Sequence, residues 1–215
     1  MKIAIIGSTG FVGSAITEEL VNRNHNITGI SQDEKKSGRN NLAYVQIDIN
    51  NVPELSKFLK GFDVVVSAFN PGWANPNLYE DFISGSKAIQ EVVNLSDVKR
   101  FIVIGGVGSL YIADGIQAVD TPDFPKEFYA GASAARDYFN FLKEEGNLNW
   151  TLFSPAFEMH RGITTGRTGR YRLGTDNPVF DENHRSVLSV EDLAVVIADE
   201  IENPKHHKTR FTAGY

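Results

Sequence analysis

The sequence predicts an α/β protein, a doubly wound parallel sheet with helices on both faces, and three observations carry that prediction. An apolar run over Lys2–Ile6 passes through Gly7-Ser-Thr-Gly10-Phe-Val-Gly13 into residues with helical spacing. Short β-branched runs then alternate along the chain with amphipathic stretches long enough to be crossover helices. Parallel neighbours require such crossovers, and their right-handedness winds the sheet on both sides.

Ile3, Ile5 and Ile6 mark a buried first strand, while Phe11, Val12, Ala15, Ile16 and Leu20 give one apolar face to a helix over Phe11–Asn22. Further strands are expected at Ile27–Ile30, Tyr44–Ile47, Val64–Ala68, Phe101–Ile104 and Thr151–Phe153, with helices at Pro53–Leu59, Leu78–Leu95 and Gly131–Glu145. Ser189 and Asp192 form a capping pair for a helix over Val190–Glu202, and Arg210–Thr212 closes the chain as a short strand. From His160 to Thr175 the glycines at 162, 166, 169 and 174 interrupt any periodicity, a loop-rich stretch. The expectation is one domain over residues 1–215: a core over 1–155, and a small C-terminal extension over 156–215.

Composition removes several function classes. The chain has 21 basic and 27 acidic residues, net charge -6, which argues against a general nucleic-acid or membrane-surface binder. No apolar run is long enough to span a bilayer, and the N-terminal apolar stretch lacks a cleavage-site pattern, so a cytoplasmic protein is expected. With no cysteine, disulfides, thiolate metal sites and cysteine nucleophiles are out, and redox chemistry would have to come from a bound cofactor. Among the histidines only His206 and His207 are close in sequence, and adjacent side chains seldom face one ion, so no metal is expected. Monomer and homodimer both remain open.

The glycine triplet has a chemical rationale. Gly7 permits a sharp turn out of the strand, Gly10 lets a diphosphate approach the backbone, and Gly13 lets the helix pack closely on the sheet. Gly7, Ser8, Thr9, Gly10, Phe11, Val12 and Gly13 therefore form the expected entry for a dinucleotide, whose phosphates meet free N–H groups and the positive helix end. A plain strand-turn-helix is the alternative. Ligands of such sheets sit beyond the carboxyl ends of the strands, so the strand-end residues Ser31 and Gln32, Asp48 and Ile49, Ser67, Ala68 and Phe69, Gly105 and Gly106, and Pro155 complete the expected cofactor site of this Rossmann-like fold. Asp48 would accept from the adenine amino group or merely start a turn; Gly105 and Gly106 would admit a flat ring or merely pack closely. Asp33, about twenty residues past Gly13, suits an unphosphorylated ribose, whereas Ser31 with Lys35, Lys36 or Arg39 suits a 2′-phosphate. The expected cofactor is NADP or NAD, with a slight lean to NADP.

Several further segments match a known family. Over nearly its whole length, the chain resembles the atypical short-chain dehydrogenase/reductase group, close to NmrA-like proteins and specifically the NADH-flavin reductase-like family. The resemblance rests on the glycine triplet, Val103-Ile-Gly-Gly-Val-Gly-Ser-Leu110, Asp120-Thr-Pro-Asp-Phe-Pro125, Asn149-Trp-Thr-Leu-Phe-Ser-Pro-Ala156, Arg167-Thr-Gly-Arg-Tyr-Arg172 and Arg210-Phe-Thr-Ala-Gly-Tyr215. It implies an NAD(P)-binding domain with the nicotinamide near Gly105, Gly106 and Pro155 and a flavin or other flat acceptor stacked over it. Relatives commonly carry arginine where Gln32 stands, and its loss weakens the case for a 2′-phosphate.

The chain also departs from its relatives. Carbonyl-reducing members use a Tyr-x-x-x-Lys pair, in which the lysine lowers the tyrosine pKa so that it can protonate the forming alkoxide. Here no tyrosine has a lysine four residues on; Tyr129, for example, is followed by Ser133. Gly105-Gly106 stands where extended relatives have Ser-Ser, leaving Ser109 and Tyr129 as the candidate catalytic side chains. Reduction of a flavin tolerates a missing acid, because its delocalised anion can be protonated by water and positioning supplies most of the catalysis.

Arg161, Arg167, Arg170 and Arg172 crowd a loop without acids, and Arg167 or Arg170 would meet a substrate phosphate such as that of FMN. The alternative is that these arginines pair with Glu158, Asp176 or Asp181. Phe69, Trp73, Tyr129 and Phe157 would wall a flat pocket by stacking, or belong to the core. The expected function is NAD(P)H-dependent hydride transfer to a small-molecule acceptor, a flavin or quinone, with FMN or FAD as substrate, not as a bound prosthetic group. A non-catalytic NAD(P)-binding sensor of NmrA type, signalling through the Arg161–Arg172 loop, is the alternative; epimerase or carbonyl reductase chemistry ranks third.

Overall fold

The computed structural model describes residues 1–32 and 35–215. Its strands are β1 (Lys2–Ile6), β2 (Asn26–Ser31), β3 (Leu42–Gln46), β4 (Val64–Ser67), β5 (Arg100–Ile104), β6 (Tyr111–Ala113), β7 (Ile116–Gln117), β8 (Trp150–Ser154), β9 (Arg172–Gly174) and β10 (Thr209–Gly214). The helices are α1 (Phe11–Asn22), α2 (Val52–Phe58), α3 (Leu78–Leu95), α4 (Lys126–Leu142) and α5 (Val190–Glu202). Eight strands form one sheet in the order β3-β2-β1-β4-β5-β8-β10-β9, parallel except for β9, which runs against β10. The order reverses between β1 and β4, where Ile6 pairs with Ser67 and ligand crevices of such folds open.

Both faces of the sheet are covered, so the central strands are apolar throughout, not alternating. Ala4, Ile6, Val65, Phe101 and Leu152 face the layer that carries Leu55, Phe82, Ile89, Tyr138 and Leu142. Ile3, Ile5, Val66, Ile102, Phe153 and Phe211 face Ile16, Leu20, Leu193 and Ile197 on α1 and α5. Each Val, Leu, Ile or Phe among them contributes about 1.5–3 kcal/mol when fully buried. The α5 cap is the expected one: Asp192 N–H donates to Ser189 Oγ at 3.1 Å. Among the described residues no helix is long and apolar enough to cross a membrane.

Three features differ from expectation. Helix α4 begins at Lys126, behind Pro125 at φ -62, and not at Gly131. Gly131 lies inside the helix because a Cβ there would come 2.7 Å from the Trp73 ring; it is a packing glycine, not a start signal. The hairpin of β6 and β7 and the strand β9 are additional, short and partly exposed.

Candidate functional site

The opening turn separates glycines the fold requires from one it does not. Gly7 has φ +80, and a Cβ on it would lie 2.5 Å from the Ala68 carbonyl oxygen; a Cβ on Gly13 would lie 2.2 Å from the Gly7 oxygen. Gly10 has φ -73, and its Cβ would meet only the Gly7 oxygen, at 3.3 Å. Gly10 N–H donates to the Gly7 carbonyl and Ser14 N–H to the Gly10 carbonyl. Among the described residues, the N–H groups of Phe11, Val12 and Gly13 thus have no acceptor, and no side chain caps α1 and no acid lies in its first turn. An open backbone, unfilled donors and a positive helix end fit a diphosphate. Thr9 is exposed at the turn, whereas Ser8 corrects expectation: its hydroxyl is buried and unpartnered, aimed at Gly29 of β2, so only its backbone can face a ligand.

The adjoining strand ends hold a mixed set. Ala68 N–H donates to the Ile6 carbonyl at 2.9 Å, bringing Ser67 and Ala68 beside the turn. Asp48 starts a turn, its Oδ1 accepting from Asn50 N–H at 2.9 Å and from the Asn50 amide at 3.0 Å. Ile49 and Phe69 both pack beneath α3 against Gly85, within 3.1 and 2.5 Å of where its Cβ would be. Ile49 is a correction, because it is buried and has only backbone to offer, whereas the Phe69 ring is half-buried. Ser31 ends β2, and exposed Gln32 accepts from the Gln46 amide at 2.6 Å. Asp33 lies outside the described residues. Arg39 is held by Glu18 at 2.7 Å, while the Lys35 ammonium stands 4.7 Å over the Tyr44 ring.

At the ends of β5 and β8, Gly105 and Gly106 are half-buried and each has a packing reason on its inner side. A Cβ would come 2.9 Å from Leu152 at Gly105 and 3.1 Å from the Ala135 methyl at Gly106. Pro155 is buried just past β8. Ser109 corrects expectation. It is 1% exposed, with its hydroxyl donating to the Gly106 carbonyl at 3.1 Å and hydrogen-bonded to the Ser154 hydroxyl at 3.2 Å, so no substrate reaches it. Tyr129 is 51% exposed on the first turn of α4. Beside it in sequence, Phe128 meets Trp73 edge to face at 5.5 Å, and both rings are largely exposed, as is Phe157.

The arginine loop has partners that the sequence did not suggest. Arg167 is held by Glu19, Nε to Oε2 at 2.7 Å and Nη2 to Oε1 at 2.9 Å. Glu19 lies eight residues past Phe11, about 12 Å along α1 from the glycine turn. That pairing with Arg167, opposed by burial and aided by Arg23, holds the Glu19 carboxyl below its ordinary range. Glu158 and Asp176 are instead taken by Arg185 and Arg210. Arg170 has no carboxylate partner among the described residues, and Arg172 donates to the carbonyls of Phe180 and Tyr215. Buried Asp192 is the unforeseen hub: its carboxylate accepts from Thr168 N–H at 2.9 Å, Gly169 N–H at 2.7 Å, the Thr168 hydroxyl at 2.6 Å and the Tyr215 hydroxyl at 2.8 Å. Burial pushes the Tyr215 phenol up. Arg161, in the same loop, lies 4.8 Å over the ring of Phe11.

Known proteins resemble this chain in sequence and in fold. YwnB of Bacillus subtilis, an uncharacterized protein, is 33% identical over 214 residues, covering 99% of this chain and 97% of YwnB. A Bacteroides thetaiotaomicron structure provisionally named an epimerase superposes with TM-score 0.91 at 39% identity, covering 100% of this chain and 96% of that one. A Streptococcus pneumoniae structure provisionally named an NADH-flavin reductase gives 0.88 at 34% identity, covering 100% and 99%. Residues 7–204, which run from the glycine turn to just past the end of α5, match the model of one family, and the chain belongs to it: the NAD(P)H-binding family.

Proposed function

We propose that this protein is an NAD(P)H-dependent oxidoreductase that passes a hydride to a flat, delocalised acceptor of the flavin or quinone type. The observation that supports this most directly is the exposed Trp73–Phe128 pair at the edge of the glycine-lined strand ends. Ala135 and Ala132 of α4 pack on Gly106 and Gly108, and Phe128 continues that face one turn, about 5.4 Å, farther. Trp73 rests on Gly131 beside it. Aromatic rings so placed favour a planar guest.

A bound nicotinamide coenzyme supplies the hydride. The N–H groups of Phe11, Val12 and Gly13 would hold its diphosphate, Ser67 and Ala68 would border the ribose, and Gly105, Gly106 and Pro155 would receive the ring. Lys35 is the cation that favours NADP over NAD. A carbonyl acceptor would need a proton donor at the forming alkoxide, yet Ser109 is sealed and Tyr129 has Ser133, not lysine, one turn on. A flavin or quinone needs orientation more than acid, so FMN or FAD serves as substrate. The provisional name of the Streptococcus pneumoniae relative supports the same chemistry. The test offers FMN, FAD, riboflavin and menadione in turn and follows loss of nicotinamide absorbance near about 340 nm. Turnover with at least one is expected; tight coenzyme binding without turnover would overturn this function and leave a non-catalytic sensor of NmrA type.

A further inference from the structure

We propose that Arg161 is a coenzyme-binding residue, reaching from the C-terminal loop to the mouth of the glycine turn to take the diphosphate. This rests on the coenzyme site described above and adds to it a residue from outside the strand-turn-helix. A tight turn presents the side chain: Ile163 N–H donates to the His160 carbonyl at 2.9 Å, and Gly162 N–H to His160 Nδ1 at 3.1 Å. Its guanidinium carbon stands 4.8 Å from the centroid of the Phe11 ring, on the residue that follows Gly10.

Two features make this an unfinished site. In a chain of net charge -6, Arg161 has no carboxylate partner among the described residues, whereas Arg167 has Glu19 and Arg172 has two carbonyls. It also sits beside the positive end of α1, where a lone cation is disfavoured. A dianionic diphosphate between the helix end and the guanidinium removes both conflicts. The Phe11 ring holds the cation through its face without using any N–H donor, so the fork stays free for paired phosphate oxygens.

The test is calorimetric titration of the full chain and of Arg161→Gln with NADPH and NADH at about 50 and 300 mM KCl, a range over which screening of exposed charges grows markedly. Both coenzymes carry the diphosphate, so Arg161→Gln is expected to weaken both alike, about tenfold at low salt, and to flatten the salt dependence. Phe11→Leu, which keeps the arginine and removes its platform, is expected to fall between the two. Weakening of NADPH alone would place the charge at a 2′-phosphate and overturn the proposal, as would unchanged affinity for both. If the unaltered chain bound neither coenzyme, the coenzyme site itself would fall, a separate result seen before any variant is compared.

Discussion

Gly10→Ala separates what a ligand needs from what the fold needs. At φ -73 and ψ 174 Gly10 occupies backbone that any residue adopts, and an added methyl meets only the Gly7 oxygen at 3.3 Å. Alanine gains about 0.4–1 kcal/mol by narrowing the unfolded ensemble and loses a similar amount as a poorer helix cap, so stability should change by less than about 0.5 kcal/mol. Gly13→Ala is the contrasting control, since its methyl would fall 2.2 Å from the Gly7 oxygen and 2.8 Å from the Gly7 carbonyl carbon, costing about 1–3 kcal/mol or more. On the proposed site, the same methyl at Gly10 would fill the space of the diphosphate and hold it off one of the free N–H groups of Phe11, Val12 and Gly13, a charge-assisted hydrogen bond worth about 1.5–3 kcal/mol. Coenzyme affinity should fall roughly 10- to 100-fold. Thermal melts beside calorimetric titrations with NADPH and NADH measure both quantities. A Gly10→Ala chain that binds as well as its parent, within about twofold, would refute a diphosphate over this turn.

Other perturbations test the supports around the site. Partial burial alone would raise the Glu145 carboxyl, but donors from Asn94, Asn147, Gln90 and Leu148 outweigh it and hold it down to about 2 from an ordinary 4.5. Its folded value is the lower one, so the stabilisation is complete above about pH 4.5 and fades as pH falls through about 2. Denaturant titrations should show Glu145→Gln losing about 1–2 kcal/mol less than its parent across that window, allowing for screening at a partly exposed site; parallel losses would disprove the account. Asp192→Ala strands two N–H groups and two hydroxyls, so a loss of about 3 kcal/mol and faster tryptic cleavage at Arg167 and Arg170 are expected, and unchanged cleavage would contradict the hub. Arg167→Gln should lower stability by no more than about 1 kcal/mol and leave the ratio of KM values for FMN and riboflavin unchanged, because Arg167 is spent on Glu19. A rise for FMN alone would return it to the substrate.

The parts of the fold that could be read from sequence are those whose signals are local. The bounds of α1, α3 and α5 coincide with the sequence expectation, since each begins at a turn or cap and carries its apolar face through to its end. Helix α4 was misjudged because Gly131 looks like punctuation, and only the distant Trp73 ring explains a glycine there. The hairpin and β9 were missed for a related reason. Tyr111 N–H donates to the Asp176 carbonyl, and Arg210 reaches the Ser109 carbonyl, so what holds these short segments comes from across the molecule.

At the site the same division applies to chemistry. The shape of the glycine turn was legible because backbone sets it, with Gly7 at φ +80 and Gly13 packed on the Gly7 carbonyl within seven residues. The arginines were not, since a guanidinium binds whichever anion the fold delivers first. For Arg167 that anion is Glu19, 148 positions earlier; for Arg210 it is Asp176, and for Arg185 it is Glu158. Ser109 likewise lost its candidacy to Ser154, 45 positions away, which claims its hydroxyl from inside the sheet. Once these internal claims are subtracted, Arg161 on its aromatic platform and Lys35 over Tyr44 are cations at the glycine end of the cleft without a carboxylate partner among the described residues. Charge that the fold leaves uncompensated in an acidic protein is where an anionic ligand gains most. On the proposed site, Arg161 would answer to the diphosphate common to both coenzymes, and Lys35 to the phosphate that distinguishes them.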